Sequence, residues 1–134
     1  MFLLYLSTEV HRKLTTRHML YYVILCLFNN AAVTAQFLRV KGYERILIID
    51  FDAHHGNGTQ KIFYHSPDIW FISFHQRDIY PFNGFSNQSG VEQGAGFTSN
   101  FPLNAGEGID EALAYLTPDF KDSIKFWNPQ ALIF

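Results

Sequence analysis

The sequence predicts an α/β protein in which helices flank a parallel β-sheet. Two short, continuous apolar runs, at residues 45–50 and 69–74, lack the alternation of a half-exposed strand. Strands that are buried on both faces have this composition, and they occur mainly in parallel sheets covered by helices. Segments with helical spacing of apolar residues stand between and around these runs, which is the order of elements in a parallel α/β sheet.

Capping and turn residues place the remaining elements. Asn29 or Asn30 is a good N-cap for the segment that follows, and Lys41 and Gly42 end that segment. The predicted order is a helix from residue 29 or 30 to 41, a strand at 45–50, a helix opening at 59, a strand at 69–74, a loop-rich region at 78–108, helices at 108–116 and 119–127, and a strand at 130–134. Only about three strands are identifiable, fewer than the ~5–6 of a typical sheet, and the chain stops within the third, so we expect an incomplete domain.

The composition excludes several classes of protein. A chain of 134 residues that is 48% apolar can form one packed domain and not two. The formal net charge is −2 and does not indicate a basic surface, so we expect no direct nucleic-acid partner. Residues 19–28 are uncharged but fall short of the ~20 that a bilayer-spanning helix needs, so we expect a buried segment and no membrane partner. Cys26 is the only cysteine, which favours a reducing compartment: the cytoplasm, or the nucleus in a eukaryote.

Carboxylates and imidazoles stand where the first predicted strand ends. Asp50, Asp52 and His54 share one parity with Ile46 and Ile48, so their side chains can converge at the end of the strand. Ligands of parallel sheets bind beyond the carboxyl ends of the strands. A carboxylate and an imidazole form a partial shell for a divalent cation such as zinc, and bare carboxylates there are costly without a cation or hydrogen bonds.

The same residues have a second interpretation that involves no metal. Asp52 would cap the following turn, and His54 and His55 would be hydrogen-bonded polar residues of a loop. The glycines of Gly56-Asn57-Gly58 supply a tight turn more readily than an anion cradle. Spacing alone leaves the metal site and the capped turn equally open.

Longer stretches of the chain resemble a known family. The segments "CLFNNAAVTAQFL" (26–38), "KGYERILIIDFDAHHGNGTQKIFYHSPDIWFISFHQ" (41–76) and "GAGFTSNFPL" (94–103) closely resemble the histone deacetylase superfamily, which includes acetylpolyamine amidohydrolases and acetoin-utilisation proteins. The resemblance covers roughly residues 25–134, and residues 1–24 are atypical. It implies one partial domain, 1–134, with a sheet of the arginase–deacetylase type.

The resemblance also implies a chemistry and a set of ligands. Members of the family hydrolyse the amides of acetylated lysines or polyamines with a catalytic zinc, for which ferrous iron is the alternative. Asp52 and His54 resemble two of the three protein ligands of that metal. Asp50 resembles the carboxylate that orients a catalytic histidine and, together with Asp52, Ser73 and Phe74, holds a structural monovalent cation, K⁺.

Two further positions carry family roles. His55 follows the metal histidine of the motif, and the resemblance implies a supporting role for it. Tyr80, before Pro81, resembles an aromatic wall of the tunnel that receives the acyl-lysine chain. A half-buried loop aromatic is the alternative for Tyr80.

The chain departs from the family pattern at both ends. A tandem histidine pair would fall near Thr15-Thr16, where none is present, and Ile24-Leu25 replace a Gly-Phe pair. The third metal ligand and the tyrosine that stabilises the oxyanion would follow the strand at 130–134. We therefore expect a deacetylase that is inactive as this chain alone, or a non-catalytic remnant or interaction module. An arginase-like binuclear hydrolase is less favoured, and an open sheet edge at the third strand predicts self-association.

Overall fold

Five parallel strands form a single sheet in the described part of the chain. The computed structural model describes residues 2–4 and 28–134. The strands, in chain order, are β1 (Phe2–Leu4), β2 (Ile46–Asp50), β3 (Ile69–Gln76), β4 (Thr98–Leu103) and β5 (Ala131–Ile133). Their spatial order is β1-β5-β2-β3-β4, and every pairing is parallel. The predicted parallel α/β sheet is confirmed.

Four α-helices connect the strands within the described ranges. They are α1 (Asn30–Val40), α2 (Asn57–Phe63), α3 (Ile109–Ala114) and α4 (Pro118–Trp127). The predicted N-cap of α1 is confirmed, because the Asn29 side chain accepts a hydrogen bond of 2.8 Å from Ala32 N. In the same way Thr117 Oγ1 accepts from Phe120 N at the start of α4, where Pro118 fits the first helical turn.

The two faces of the sheet have different helices and different cores. On one face, α1 and α2 pack on the sheet through a core of aliphatic side chains and two phenylalanines. The buried members of this core are Ala32, Ala35, Ile46, Ile48, Phe63, Ile69, Phe71, Ala131 and Ile133. On the other face, α4 packs on Leu47, Trp70 and Ile72 through partly buried aromatic and aliphatic side chains. The alternation of side chains along each strand sends neighbouring residues to opposite cores.

Strand β4 lies in the region that the sequence predicts to be loop-rich, so that prediction is wrong for residues 98–103. Its residues pair with β3 from Phe71↔Thr98 to Gln76↔Leu103. No apolar run marks this strand, because it is interrupted by Ser99, Asn100 and Pro102. The strand could therefore not be recognised from its composition. A proline is compatible with the position, because β4 is an edge strand in the described sheet.

The predicted open edge at the third strand is also wrong for the described residues. Strand β5 pairs with β2 on one side and with β1 on the other. The partner on the second side comes from residues 2–4, in the part of the chain that does not resemble the family. The described edges are therefore β1 and β4, and self-association remains a prediction.

Some sequence-based predictions concern residues outside the described ranges. The predicted buried segment at residues 19–28 lies there except for Phe28, as do Thr15, Thr16, Ile24, Leu25 and Cys26. Within residues 2–4 and 28–134, no helix has both the length and the apolar character that crossing a membrane requires.

Candidate metal centre

The chain makes a tight, hydrogen-bonded turn where β2 ends. Asp52 N donates to Asp50 Oδ1 at 3.1 Å, and His54 N donates to Asp52 Oδ1 at 2.7 Å. The second bond folds the His54 side chain back, so that its Nδ1 lies 3.2 Å from the same Asp52 oxygen. The turn-capping role of Asp52 is thus present, and it is the contact that brings the carboxylate and the imidazole together.

The geometry of Asp52 and His54 fits two ligands of a divalent cation. Their donor atoms face one another, and their side chains are 32% and 39% exposed, so an ion can reach both. Carboxylate oxygen and imidazole nitrogen are the donor types that zinc accepts. Among the described residues no group of three or more His, Cys, Asp or Glu side chains could hold a metal. The described part of the chain therefore offers a pair of ligands and not a complete shell.

Asp50 lies behind this pair and is much less accessible. Burial, the largest influence, raises the pKa of its carboxyl group above the ordinary 3.8, while the hydrogen bond from Asp52 N lowers it. The negative charge of Asp52 raises the Asp50 pKa further, and His55 lowers it. Gly56 packs directly against the Asp50 carboxylate, where a Cβ atom would collide with it. The turn thus needs glycine at this position to keep a carboxylate behind the candidate ligands.

Ser73 and Phe74, predicted with Asp50 and Asp52 to hold a monovalent cation, lie on the neighbouring strand. Ser73 is in register with Asp50, so the two side chains share one face of the sheet. The Phe74 ring points to the other face and stacks on Phe101 with 4.9 Å between ring centroids. Only the main chain of Phe74 could therefore serve as a ligand.

His55 is buried beneath the candidate metal pair and does not point towards it. Its Nδ1 lies 2.6 Å from Asn83 Oδ1, and its Nε2 lies 3.0 Å from Gln60 Oε1. Its ring packs on that of His75, with 4.7 Å between centroids. These contacts tie α2, β3 and the loop that follows β3 together, and the supporting role of His55 stays a prediction.

His75 is a site residue that sequence reasoning missed. Its Nε2 donates to Gly84 O at 3.0 Å, and its Nδ1 lies 2.9 Å from Ser73 Oγ. Burial, followed by the nearby charge of His55, lowers the pKa of His75 from 6.5 to about 4. His75 is therefore a neutral imidazole at neutral pH, with a proton on Nε2. The available signal was its parity with Ser73 on a strand that ends beside the site.

The loop after β3 carries Tyr80 and is fixed by Gly84. The Tyr80 side chain is exposed, and its ring lies edge-on to that of His54 at 6.5 Å between centroids. Gly84 has φ +85°, and a Cβ there would stand 2.5 Å from His75 Nε2 and 2.6 Å from His55 Cγ. Glycine is thus required for the loop to close over the two buried histidines while Tyr80 stands beside the candidate ligands.

Asn100 completes the buried polar layer from β4. It pairs in register with Ser73, and its Nδ2 donates to Gln60 Oε1 at 2.8 Å and to Gln88 O at 3.1 Å. Its Oδ1 is buried without a hydrogen-bond partner in the described structure. Sequence reasoning missed Asn100, Gln60 and Gln88, because their partners lie far away along the chain and one of them sits in the unrecognised strand.

Comparison with known protein families identifies the family to which the chain belongs. The model of the histone deacetylase domain matches residues 25–134, which is most of the chain. The chain belongs to the histone deacetylase family. The family resemblance read from the sequence is thereby confirmed.

Individual relatives are similar to this deacetylase-family chain in sequence and in structure. A probable deacetylase of Archaeoglobus fulgidus is 43% identical over 103 residues, which are 72% of this chain and 29% of the relative. An acetylpolyamine amidohydrolase of Mycoplana ramosa is 48% identical over 84 residues, 60% of this chain and 25% of the relative. The crystal structure of an HDAC homolog from Aquifex aeolicus superimposes with a TM-score of 0.74 at 36% identity, covering 81% of this chain and 30% of that one.

The matches confirm the deacetylase fold and define how much of it is described. A crystal structure of an acetylpolyamine aminohydrolase from Burkholderia pseudomallei gives a TM-score of 0.73 at 33% identity, with 81% of this chain and 32% of that chain covered. The chain thus spans between a quarter and a third of the length of these relatives.

Proposed function

We propose that this chain provides part of the active site of a metal-dependent deacetylase that hydrolyses acetylated amines. The observation that carries the proposal is the pair of donor atoms, Asp52 Oδ1 and His54 Nδ1, 3.2 Å apart and partly exposed at the carboxyl end of β2. Ligands of parallel α/β sheets bind at this end. Relatives named deacetylase and acetylpolyamine amidohydrolase favour acetylated lysine or acetylated polyamine as the substrate class.

The residues of the chain divide the work between binding and positioning. Asp52 and His54 would hold zinc, or ferrous iron, and Asp50 would fix the turn by accepting the Asp52 N–H. When bound, such an ion polarises the acetamide carbonyl and lowers the pKa of a coordinated water towards ~7. Tyr80 would flank the substrate chain, because its ring stands beside His54.

Supporting groups would keep the ligands in place. His55 and His75 anchor the loop that carries Tyr80, through Asn83 and Gly84 respectively. Asp50 and Ser73 lie side by side in register on neighbouring strands. This supports the proposal that a monovalent cation, K⁺, binds near the main chain of Phe74. A cytoplasmic location, or a nuclear one in a eukaryote, follows from the cysteine content and is part of the same proposal.

We do not expect hydrolysis by this chain alone. The described residues supply two ligands, and the family pattern assigns the third ligand, the histidine base and the oxyanion donor to motifs that the sequence lacks. Loss of one oxyanion donor typically lowers the rate ~10²–10³-fold, so loss of all three groups leaves no measurable turnover. Zinc-dependent cleavage of an acetyl-lysine peptide or an N-acetylated diamine by the purified chain, abolished in His54→Ala, would contradict this.

Metal binding tests the proposal directly. Zn²⁺ is titrated into the purified chain by calorimetry, with Asp52→Asn and His54→Asn as variants. We expect each to weaken binding by more than ~10-fold, since even supporting groups at metal sites have effects of this size. The matched control is the exposed pair His65–Glu92, whose donor atoms are 3.3 Å apart. Equal loss of binding in His65→Asn, or full binding by His54→Asn, would refute the assignment of Asp52 and His54.

A second candidate, a non-catalytic interaction module of deacetylase fold, is favoured by the incomplete ligand set in the described residues. It predicts that Zn²⁺ binds no more tightly to the wild-type chain than to His54→Asn. The same titration therefore separates the two candidates.

A further inference from the structure

Side-chain amides connect the loop after β3 to the buried His55. The outermost is Gln88, whose Oε1 accepts hydrogen bonds from two consecutive main-chain amides, Gly84 N at 3.0 Å and Phe85 N at 3.1 Å. The same oxygen accepts from Gln60 Nε2 at 3.3 Å. Gln60 Oε1 lies in turn 3.0 Å from His55 Nε2. Gln88 is therefore the residue at which the loop, α2 and the buried histidine are joined.

Main-chain groups fix the direction of these bonds. A main-chain N–H only donates, so the atom of Gln88 that faces Gly84 N and Phe85 N is its oxygen. That oxygen only accepts, so Gln60 turns its Nε2 towards Gln88 and its Oε1 towards His55. Because His55 is only 4% exposed, its ring nitrogens must be satisfied by these protein partners.

A second main-chain group imposes the same orientation on Gln60. Asn100 Nδ2 donates to the carbonyl oxygen of Gln88 at 3.1 Å and to Gln60 Oε1 at 2.8 Å. Both routes leave the oxygen of Gln60 facing His55 Nε2, so that nitrogen carries a proton and donates it. The Asn83 amide, at His55 Nδ1, imposes no choice, because rotation of its terminal group offers either a donor or an acceptor.

These amides join the two segments that build the candidate metal centre. His55 directly follows the candidate ligand His54 in the turn after β2. Gly84 lies in the loop after β3, four residues beyond Tyr80, whose ring stands edge-on to that of His54. Gln88 bonds to the loop and, through Gln60, to the turn. The relative placement of the two segments therefore depends on Gln88.

We propose that Gln88 is a positioning residue of the candidate metal centre. Through Gln60 it fixes a proton on His55 Nε2, and it holds the loop of Tyr80 against the turn that carries His54. The role at the metal centre rests on the proposed function. The proton on His55 Nε2 requires no metal and can be measured separately.

Gln130 offers a matched control at the opposite end of the sheet, directly before β5. Its Oε1 also accepts from two consecutive main-chain amides, Glu44 N at 2.6 Å and Arg45 N at 3.0 Å. Gln130→Ala thus removes the same kind of contact as Gln88→Ala, and we expect both variants to have similarly lowered melting temperatures. A role of Gln88 in stability alone would leave no other difference between the two variants.

The first measurement is the protonation of His55 Nε2 in the metal-free full chain. Long-range proton–nitrogen correlation spectra are recorded at constant pH on protein with ¹⁵N-labelled histidine, with His55→Gln for the assignment. In wild type and in Gln130→Ala we expect the chemical shift of a protonated Nε2. In Gln88→Ala the Gln60 amide can rotate and offer its nitrogen to His55, so the Nε2 resonance should move downfield, towards that of an unprotonated nitrogen. Gln88→Glu keeps the accepting oxygen and should restore the wild-type resonance.

The second measurement is the affinity for Zn²⁺, by the same calorimetric titration as for His54→Asn. We expect Gln88→Ala to weaken binding ~10-fold, the lower end of the effect of groups that orient metal ligands, and Gln130→Ala to bind like wild type.

Two results would overturn the proposal. One is an unprotonated His55 Nε2 in wild type. The other is an equal effect of Gln88→Ala and Gln130→Ala on the His55 resonance and on the Zn²⁺ affinity. Failure of the proposed function gives a different result: wild type then binds Zn²⁺ no more tightly than His54→Asn, while the response of His55 Nε2 to Gln88→Ala is unchanged.

Discussion

The two faces of the sheet are built from the same strands but differ in what they carry at the carboxyl end. On the α4 face, β3 presents the apolar residues Trp70, Ile72 and Phe74, and only its last residue, Gln76, is polar. On the α1–α2 face, the same strand presents Phe71, then Ser73 and His75. One face of β3 is therefore apolar up to its last residue, whereas the other changes from an apolar core into a polar site at Ser73 and His75.

This difference separates stability from chemistry within one strand. Trp70 makes edge-to-face contacts with Phe97, Phe120 and Trp127, at centroid distances between 5.5 and 6.0 Å. Such aromatic pairs add to the free energy of burial. The polar side chains on the opposite face of the sheet are buried imidazoles and amides. They stabilise the fold only while every one of their hydrogen-bond partners is in place.

The largest effect is expected on the aromatic face. Trp70→Ala removes the centre of the cluster and the hydrogen bond from Trp70 Nε1 to Ser99 Oγ at 3.0 Å. We expect the free energy of unfolding to fall by about 3–5 kcal/mol, the usual cost of an aromatic-to-alanine change in a core. Urea titration followed by circular dichroism measures it. Phe126→Ala on α4, at a ring that is 94% exposed, is the control and should stay within about 0.5 kcal/mol of wild type.

The second-largest effect is expected on the α1–α2 face, where the free energy of unfolding should depend on pH. Because the pKa of His75 is lowered from 6.5 to about 4, the unfolded chain binds the proton more readily than the folded one. This contribution to stability is complete above pH 6.5 and is lost as the pH falls towards 4, about 3 kcal/mol in total. His75→Gln should remove that part of the pH dependence, measured as free energies of unfolding at pH 7 and pH 4.5.

The comparison must be made between variants, since Asp50 acts in the opposite direction. Its raised pKa gives stability that is present below pH 3.8 and is lost as the pH rises through the raised value. His65→Gln, at a histidine whose side chain is 63% exposed, is the control for the replacement of a histidine by glutamine. If the free energy of unfolding depends on pH in His75→Gln as it does in wild type, the α1–α2 face does not bury a neutral histidine.

The smallest effect is expected in the loop after β3, which covers the two buried histidines on the α1–α2 face. Gly84→Ala forces a Cβ into a left-handed backbone and against the two buried histidines. Gly106→Ala has a similar φ, +88°, with no atom within 4 Å of the added Cβ, so it isolates the backbone contribution of about 1–2 kcal/mol. We expect Gly84→Ala to cost about 1–3 kcal/mol more than Gly106→Ala in urea titrations, from crowding alone. Equal costs would mean that the loop yields and that the histidines are not tightly enclosed.

Local features of the molecule were predictable because their causes are local. Asn29 caps α1 through a bond that spans three residues, and the apolar runs form β2 and β3 within two residues of the predicted limits. The D-x-H spacing brought Asp52 and His54 together for the same reason, since the bonds that set the turn span two residues. These parts of the fold and of the candidate site needed no information from distant residues.

Tertiary structure decided the parts in which partners are far apart in sequence. Strand β4 has too many polar residues to be recognised alone, and it exists because β3 offers it a register. Gln60 and Asn100 meet across 40 residues, and His55 meets Asn83 across 28. The sequence by itself determined the helices, the central strands and the pair of candidate ligands, whereas the edges of the sheet and the buried polar layer became defined only on packing. The physical reason is that a strand edge or a buried amide is stabilised by its partner, and the identity of that partner depends on the whole fold.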